Sequence, residues 1–178
     1  MKQIFPALKA FLLLTFVTGA VYPLLVTAIG QAFFPRQANG SLLQGSDGKI
    51  QGSELIAQGF KGDKYFWPRP SAVDYNPLPS GGSNLGPTSK ALQDKWQERR
   101  KAGLSGDLLA ASASGLDPHI SPESAYDQVP RIAQARGKSI AEVNGLIAST
   151  VERRQFGFLG ENRVNVLKLN RLLDEGKP

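Results

Sequence analysis

Uncharged and mostly apolar residues fill positions 10–35 without a break, and all 15 acidic residues lie beyond Arg36. Wound as a helix rising about 1.5 Å per residue, this stretch spans roughly 39 Å, enough to cross a hydrocarbon core of about 30 Å with some tilt. The apolar run continues well past Thr18-Gly19-Ala20, a passable cleavage site, whereas the apolar part of a cleaved signal is about 7–15 residues long. The pattern predicts an uncleaved transmembrane helix. Lys2, Lys9 and the amino terminus precede it, and Arg36 stands alone just after it. The excess of positive charge predicts cytoplasmic residues 1–9 and an extracytoplasmic soluble domain over residues 36–178.

Inside the span, Thr15, Gly19, Pro23, Thr27 and Gly30 recur at spacings of four, four, four and three, which sets them along one helix face. Small residues let helix backbones approach closely in lipid, where packing drives association, so this face is expected to be a seam for a partner helix. Pro23 forfeits a backbone hydrogen bond and crowds the carbonyl of Gly19, which predicts a bend.

The polar remainder predicts a single soluble domain of mixed helix and strand, class α+β, with helices outweighing strands. Residues 36–53 read as a turn-rich segment or hairpin, and residues 52–60 as a short helix or strand. Aromatics scattered among Pro and Gly over residues 65–89 predict an ordered loop held by buried rings. Thr88 reads as the N-cap of a helix with Leu92 and Trp96 on one face, stopped by Gly103. Ser121-Pro122-Glu123 opens a second helical region that must break before Pro130 and ends at Gly137. Ser139 and Glu142 form a capping box for a helix to about residue 153. Alternation over residues 164–169 suggests a strand, followed by a short helix.

Composition removes several chemistries. The chain has no cysteine and one histidine, which excludes disulfides, thiolate metal sites and a Cys nucleophile. The net charge of +6 is dispersed, with Arg99-Arg100-Lys101 and Arg153-Arg154 as its clusters, so nucleic-acid binding is not expected. Gly45-Ser46-Asp47-Gly48-Lys49 lacks phosphate-loop spacing, and Gly81-Gly82-Ser83-Asn84-Leu85-Gly86 reads as a rigid loop rather than an anion nest. The densest polar cluster joins Ser112, Ser114, Asp117 and His119. A membrane-tethered extracytoplasmic serine hydrolase using Ser112 or Ser114 with His119 is the alternative reading. Neither serine lies in a nucleophile elbow, however, and Asp117-Pro118 is turn chemistry. A single membrane helix builds no ion pore, so any transport role must come through partners.

An ordered set of motifs runs through nearly the whole chain. It comprises Gly52-Ser53-x-Leu55-Ile56, Tyr65-Phe66-x-x-Arg69-Pro70-Ser71-Ala72, Gly81-Gly82-Ser83-Asn84 and Ser112-x-Ser114-Gly115-Leu116-Asp117-Pro118-His119-Ile120-Ser121. Gln128-Val129-Pro130-Arg131, Gly157-Phe158-Leu159-Gly160-Glu161 and Val164-Asn165-Val166-Leu167-x-Leu169-Asn170 complete it. With these motifs the chain resembles the C subunit of the Kdp-type bacterial potassium-transporting ATPase, with Ala113 departing where Gly is expected. The resemblance implies an accessory subunit of a high-affinity potassium uptake complex in the bacterial plasma membrane. The implied partners are a P-type ATPase subunit, a channel-like potassium-translocating subunit and a small membrane subunit, besides the lipid bilayer. It also implies help in assembly and a catalytic-chaperone role that raises the ATPase subunit's affinity for ATP. No cofactor is assigned to this chain itself. ATP is cytoplasmic, so an outer domain acts on it only through the membrane helix or another chain.

Overall fold

The computed structural model describes residues 3–45 and 48–176. Lys2, Ser46 and Asp47, which entered the charge and phosphate-loop readings, lie outside them. The chain forms two compact units, Met1–Ser53 and Glu54–Pro178.

The first unit is built on an apolar rod. Helix α1 (Ile4–Phe16) runs through a π-turn (Val17–Val21) into α2 (Tyr22–Phe33), a continuous 30 residues or about 45 Å. It begins before position 10 because Pro6 falls in its first turn, where no backbone N–H is needed. None of its residues is buried. Pro35 disfavours helix at the residue before it, and Phe34 leaves the helix at φ −135° and ψ 50°. A short helix α3 (Pro35–Ala38) and a hairpin of β1 (Leu42–Gln44) with β2 (Ile50–Ser53) follow. The turn-rich stretch is therefore a hairpin, with Leu42 opposite Ser53.

Just ahead of Pro23, where the sequence predicts a bend, the rod carries the π-turn. Proline has no N–H to give, and just ahead of it the Tyr22 N–H reaches back five residues to the Val17 carbonyl. A turn that holds more than 3.6 residues brings a four-residue spacing nearer to one full rotation. Thr15, Gly19 and Pro23 thus stay better aligned than an unbroken α-helix allows.

The second unit carries a three-stranded antiparallel sheet in the order β3 (His119–Ile120), β5 (Arg163–Asn165), β4 (Val151–Glu152). Val164 lies between Ile120 and Val151. Helices α4 (Lys90–Lys101), α5 (Pro122–Tyr126), α6 (Val129–Arg136), α7 (Ile140–Thr150) and α8 (Val166–Glu175) accompany it. One core joins Phe66 and Leu108 to Ile132, Val143 and Ile147 and to Val164, Leu169 and Leu173. The α+β class is as the sequence pattern predicts.

Local signals set most helix ends. The Ser121 hydroxyl accepts the Ser124 N–H at the start of α5. Pro130 falls in the first turn of α6, and Gly137 closes that helix at φ 63°. The Ser139–Glu142 capping box opens α7.

Three boundaries differ from the sequence reading. The N-cap position of helix α4 is Ser89, one residue after Thr88, and its side chain makes no capping bond. Helix α7 stops at Thr150 rather than near residue 153. The Ser149 and Thr150 hydroxyls take up its last carbonyls, and Val151 and Glu152 pair with β5 instead. The strand read over residues 164–169 ends at Asn165, whose side chain accepts the Lys168 N–H and caps α8. Val166, Leu169 and Leu173 then face the core at helical spacing. Residues 52–60 close β2 at Ser53 and continue irregularly, with the Ala57 N–H donating to the Leu116 carbonyl.

Candidate functional site

The aromatic segment at residues 65–67 is irregular and joins no sheet, and two amide side chains supply the hydrogen bonds that a sheet would. Asn170 of α8 accepts the Phe66 N–H at 2.8 Å and donates to the Phe66 carbonyl at 2.9 Å. Gln128, just before α6, accepts the Trp67 N–H at 2.8 Å and donates to the Trp67 carbonyl at 3.2 Å. Consecutive backbone groups are thereby satisfied, and Phe66 sits in the core with 0% exposure. The Arg131 guanidinium stacks 3.7 Å over the Trp67 ring and donates to the carbonyls of Asp63 and Tyr65. Arg136 reaches the Lys64 carbonyl and pairs with Asp174. Sequence reasoning singled out the motifs around Phe66, Gln128 and Asn170 but not their mutual clamp. The available signal was an amide at a core-facing helical position.

This clamp delivers the chain into a second loop pair, where the Ser112–His119 cluster lies. The Ser112 N–H donates to the Pro70 carbonyl at 3.0 Å and the Gly81 N–H to the Ser114 carbonyl at 2.9 Å. A Cβ on Gly82 would stand 2.9 Å from the Ala113 carbonyl oxygen, so glycine at this position serves the close packing of two loops. The Ser71 hydroxyl accepts the N–H groups of Val73 and Tyr75, and the Tyr75 hydroxyl donates to the Arg69 carbonyl.

The polar side chains are brought together, and Ser114 and Asp117 serve the backbone. The Ser114 hydroxyl accepts the Leu116 N–H at 3.1 Å, and Ser112 is buried. Asp117 accepts the His119 N–H at 3.0 Å through Oδ1 and pairs with Arg69 at 3.2 Å through Oδ2. His119 Nδ1 stands 3.6 Å from Asp117 Oδ1. Among the described residues, no hydrogen bond joins either serine hydroxyl to His119. This is loop architecture.

The His119 imidazole, assisted by its backbone N–H and by the Arg69 guanidinium, holds the Asp117 carboxyl below its ordinary range against the opposing effect of partial burial. Arg69 Nε is buried without a hydrogen-bond partner, so the carboxylate is the main compensation for that guanidinium. Asp117→Asn is expected to lower stability by roughly 1–2 kcal/mol at neutral pH, the worth of a partly exposed charge-assisted bond. With the folded pKa depressed, this stabilisation is complete above the ordinary value of 3.8 and is lost as pH falls through the lower folded value. Denaturant titrations of both proteins should show a gap that closes in acid; a gap independent of pH would refute the assignment.

A second ionic group ties the ends of the unit. Lys168 of α8 lies 2.9 Å from Glu54 and 3.3 Å from Glu152, and Arg163 lies 2.9 Å from Glu152. Burial works against the charged forms of Lys168 and Glu152, yet their hydrogen bonds prevail: the ammonium pKa is raised and the carboxyl pKa lowered.

On the rod, Thr15, Gly19, Pro23, Thr27 and Gly30 all lie within α1, the π-turn and α2. The Thr27 hydroxyl donates to the Pro23 carbonyl of its own helix at 2.8 Å, so it offers a neighbour shape rather than a free donor. A Cβ on Gly19 would meet nothing within 4 Å, and one on Gly30 only the Ala38 methyl at 3.9 Å. Nothing among the described residues requires glycine at either position.

An apolar rod with no buried residue, followed by a domain clamped by its own side chains, defines a protein with one candidate membrane span among the described residues. Residues 4–175 match the family model described as "KdpC: K+-transporting ATPase, c chain". The chain belongs to the KdpC family. A relative from Geobacter sulfurreducens, described as "Potassium-transporting ATPase KdpC subunit", is 52% identical with all of both chains covered. Relatives of the same description come from Geotalea uraniireducens (50% identical, 98% of each chain) and Methylococcus capsulatus (52%, 95% of each).

Proposed function

We propose that this chain is a non-catalytic accessory subunit of an ATP-driven, high-affinity potassium uptake complex in the bacterial plasma membrane. The family match over residues 4–175 carries this reading. The partners are a P-type ATPase subunit, a channel-like potassium-translocating subunit and a small membrane subunit. The amino terminus is cytoplasmic and the clamped domain lies on the outer face, the side favoured by Lys2 and Lys9. In that position the chain assists assembly and raises the affinity of the ATPase subunit for ATP without touching nucleotide. Its contacts differ between two states of the complex, and that difference in contact energy shifts the ATPase equilibrium.

The rod's small-residue face supports assembly through helix packing. Gly19→Leu and Gly30→Leu introduce bulk where this chain leaves space. The isolated variants should fold normally, co-purify with the P-type ATPase chain about tenfold less well, and leave the residual complex with a raised KM for ATP. Unchanged co-purification and KM would remove the seam from the mechanism.

A further inference from the structure

The turn between β4 and β5 is an apolar knob that no part of the fold uses. All residues from Arg153 to Arg163 are exposed, with Phe156 at 86%, Phe158 at 72% and Leu159 at 48%. The knob is nevertheless fixed. Gln155 and Leu159 exchange reciprocal backbone hydrogen bonds at 2.9 Å, and the Arg154 N–H is held by Asn162 Oδ1 at 3.2 Å. Phe156 has φ 52°, a conformation costly for a bulky side chain. The backbone of the turn, and with it the positions from which the two rings project, is therefore set before any partner arrives, which lowers the entropy lost on binding.

We infer that this knob, Phe156 with Phe158 and Leu159, docks into an apolar pocket rimmed by charges of both signs on another subunit of the complex. The inference rests on the subunit reading above. Charge argues for a protein rather than a lipid surface. Arg153 and Arg154 flank the knob on one side and Glu161 on the other, and none of the three forms an ion pair among the described residues. An anionic headgroup layer matches the arginines and opposes the glutamate. A pocket bearing carboxylates opposite the arginines and a cation opposite Glu161 matches all three. A shaped pocket also rewards a fixed turn, whereas a fluid bilayer does not.

The absence of cysteine in this chain permits a direct test. Phe158→Cys, labelled with a bimane fluorophore on the full chain, is compared alone in detergent and in the assembled complex, itself reconstituted in vesicles with and without brominated lipid. The docked knob should show blue-shifted emission and several-fold weaker quenching by aqueous iodide in the complex only. Arg153→Glu combined with Arg154→Glu should restore the quenching. Equal iodide quenching in both states would overturn the inference, and quenching by brominated lipid would assign the knob to the bilayer instead. If the unlabelled wild-type chain captures no partner subunit, the subunit reading itself fails and the docking with it.

Discussion

Asn170→Ala should lower the stability of the folded domain by about 2–6 kcal/mol, since the Phe66 N–H and carbonyl are both left buried without a partner at roughly 1–3 kcal/mol each. Asn170 is 1% exposed and Phe66 is 0% exposed, so water cannot take over either bond without opening the core. Asn170→Asp keeps an acceptor for the Phe66 N–H but loses the donor to the carbonyl and buries a charge, and it should be no more stable than the alanine variant. Urea unfolding of the full chain in detergent, read by Trp67 and Trp96 fluorescence, measures both. Trp67 adjoins the clamp and should report its loss directly. A midpoint unchanged by Asn170→Ala would mean that the amide does not hold the 65–67 segment.

Gly115→Ala should be comparably damaging for a different reason. Gly115 has φ 72°, and a Cβ there would lie 2.6 Å from Val73 Cγ2, 2.8 Å from the Gly81 carbonyl oxygen and 3.0 Å from the Ser71 hydroxyl. A left-handed conformation costs an ordinary residue about 1–2 kcal/mol. Forcing a methyl into packed loops adds about 1–3 kcal/mol. The sum is about 2–5 kcal/mol. Gly137 provides the control, because its φ is 63° but a Cβ there meets nothing within 4 Å. Gly137→Ala should carry the conformational cost alone. Equal losses in the two variants, measured by the same unfolding, would show that the loops at residues 71–82 and 112–117 do not press on Gly115.

Both predictions concern motifs that stand out in the sequence yet serve architecture. Gln128 and Asn170 bond backbone groups some 60 and 100 positions away, with sequence separations of 61 and 104. Asp117 and Ser114 spend their oxygens on turns. A polar cluster in a linear sequence does not reveal whether its groups face a substrate or their own backbone. Only the loop geometry distinguishes those cases. The motif Gly157-Phe158-Leu159-Gly160-Glu161 stands out in the same way without revealing an exposed knob, since alternating Phe and Gly in sequence gives no measure of exposure.

Properties governed by residues within one or two turns of each other were legible from the chain alone. The apolar rod, its irregularity ahead of Pro23, the Ser139–Glu142 capping box and the stop at Gly137 are all of this kind. They depend on dihedral preferences, local hydrogen bonds and hydrophobic periodicity, which act over short separations. Tertiary structure decided where α7 gave way to β4, because Val151 and Glu152 gain more from pairing with Val164 and Arg163 than from another helical turn. It likewise decided that Asn165 ends a strand and begins a helix, and that Phe66 is buried by amides from distant helices. Those outcomes turn on partners brought close only by folding, and a linear pattern carries no record of the distances between them.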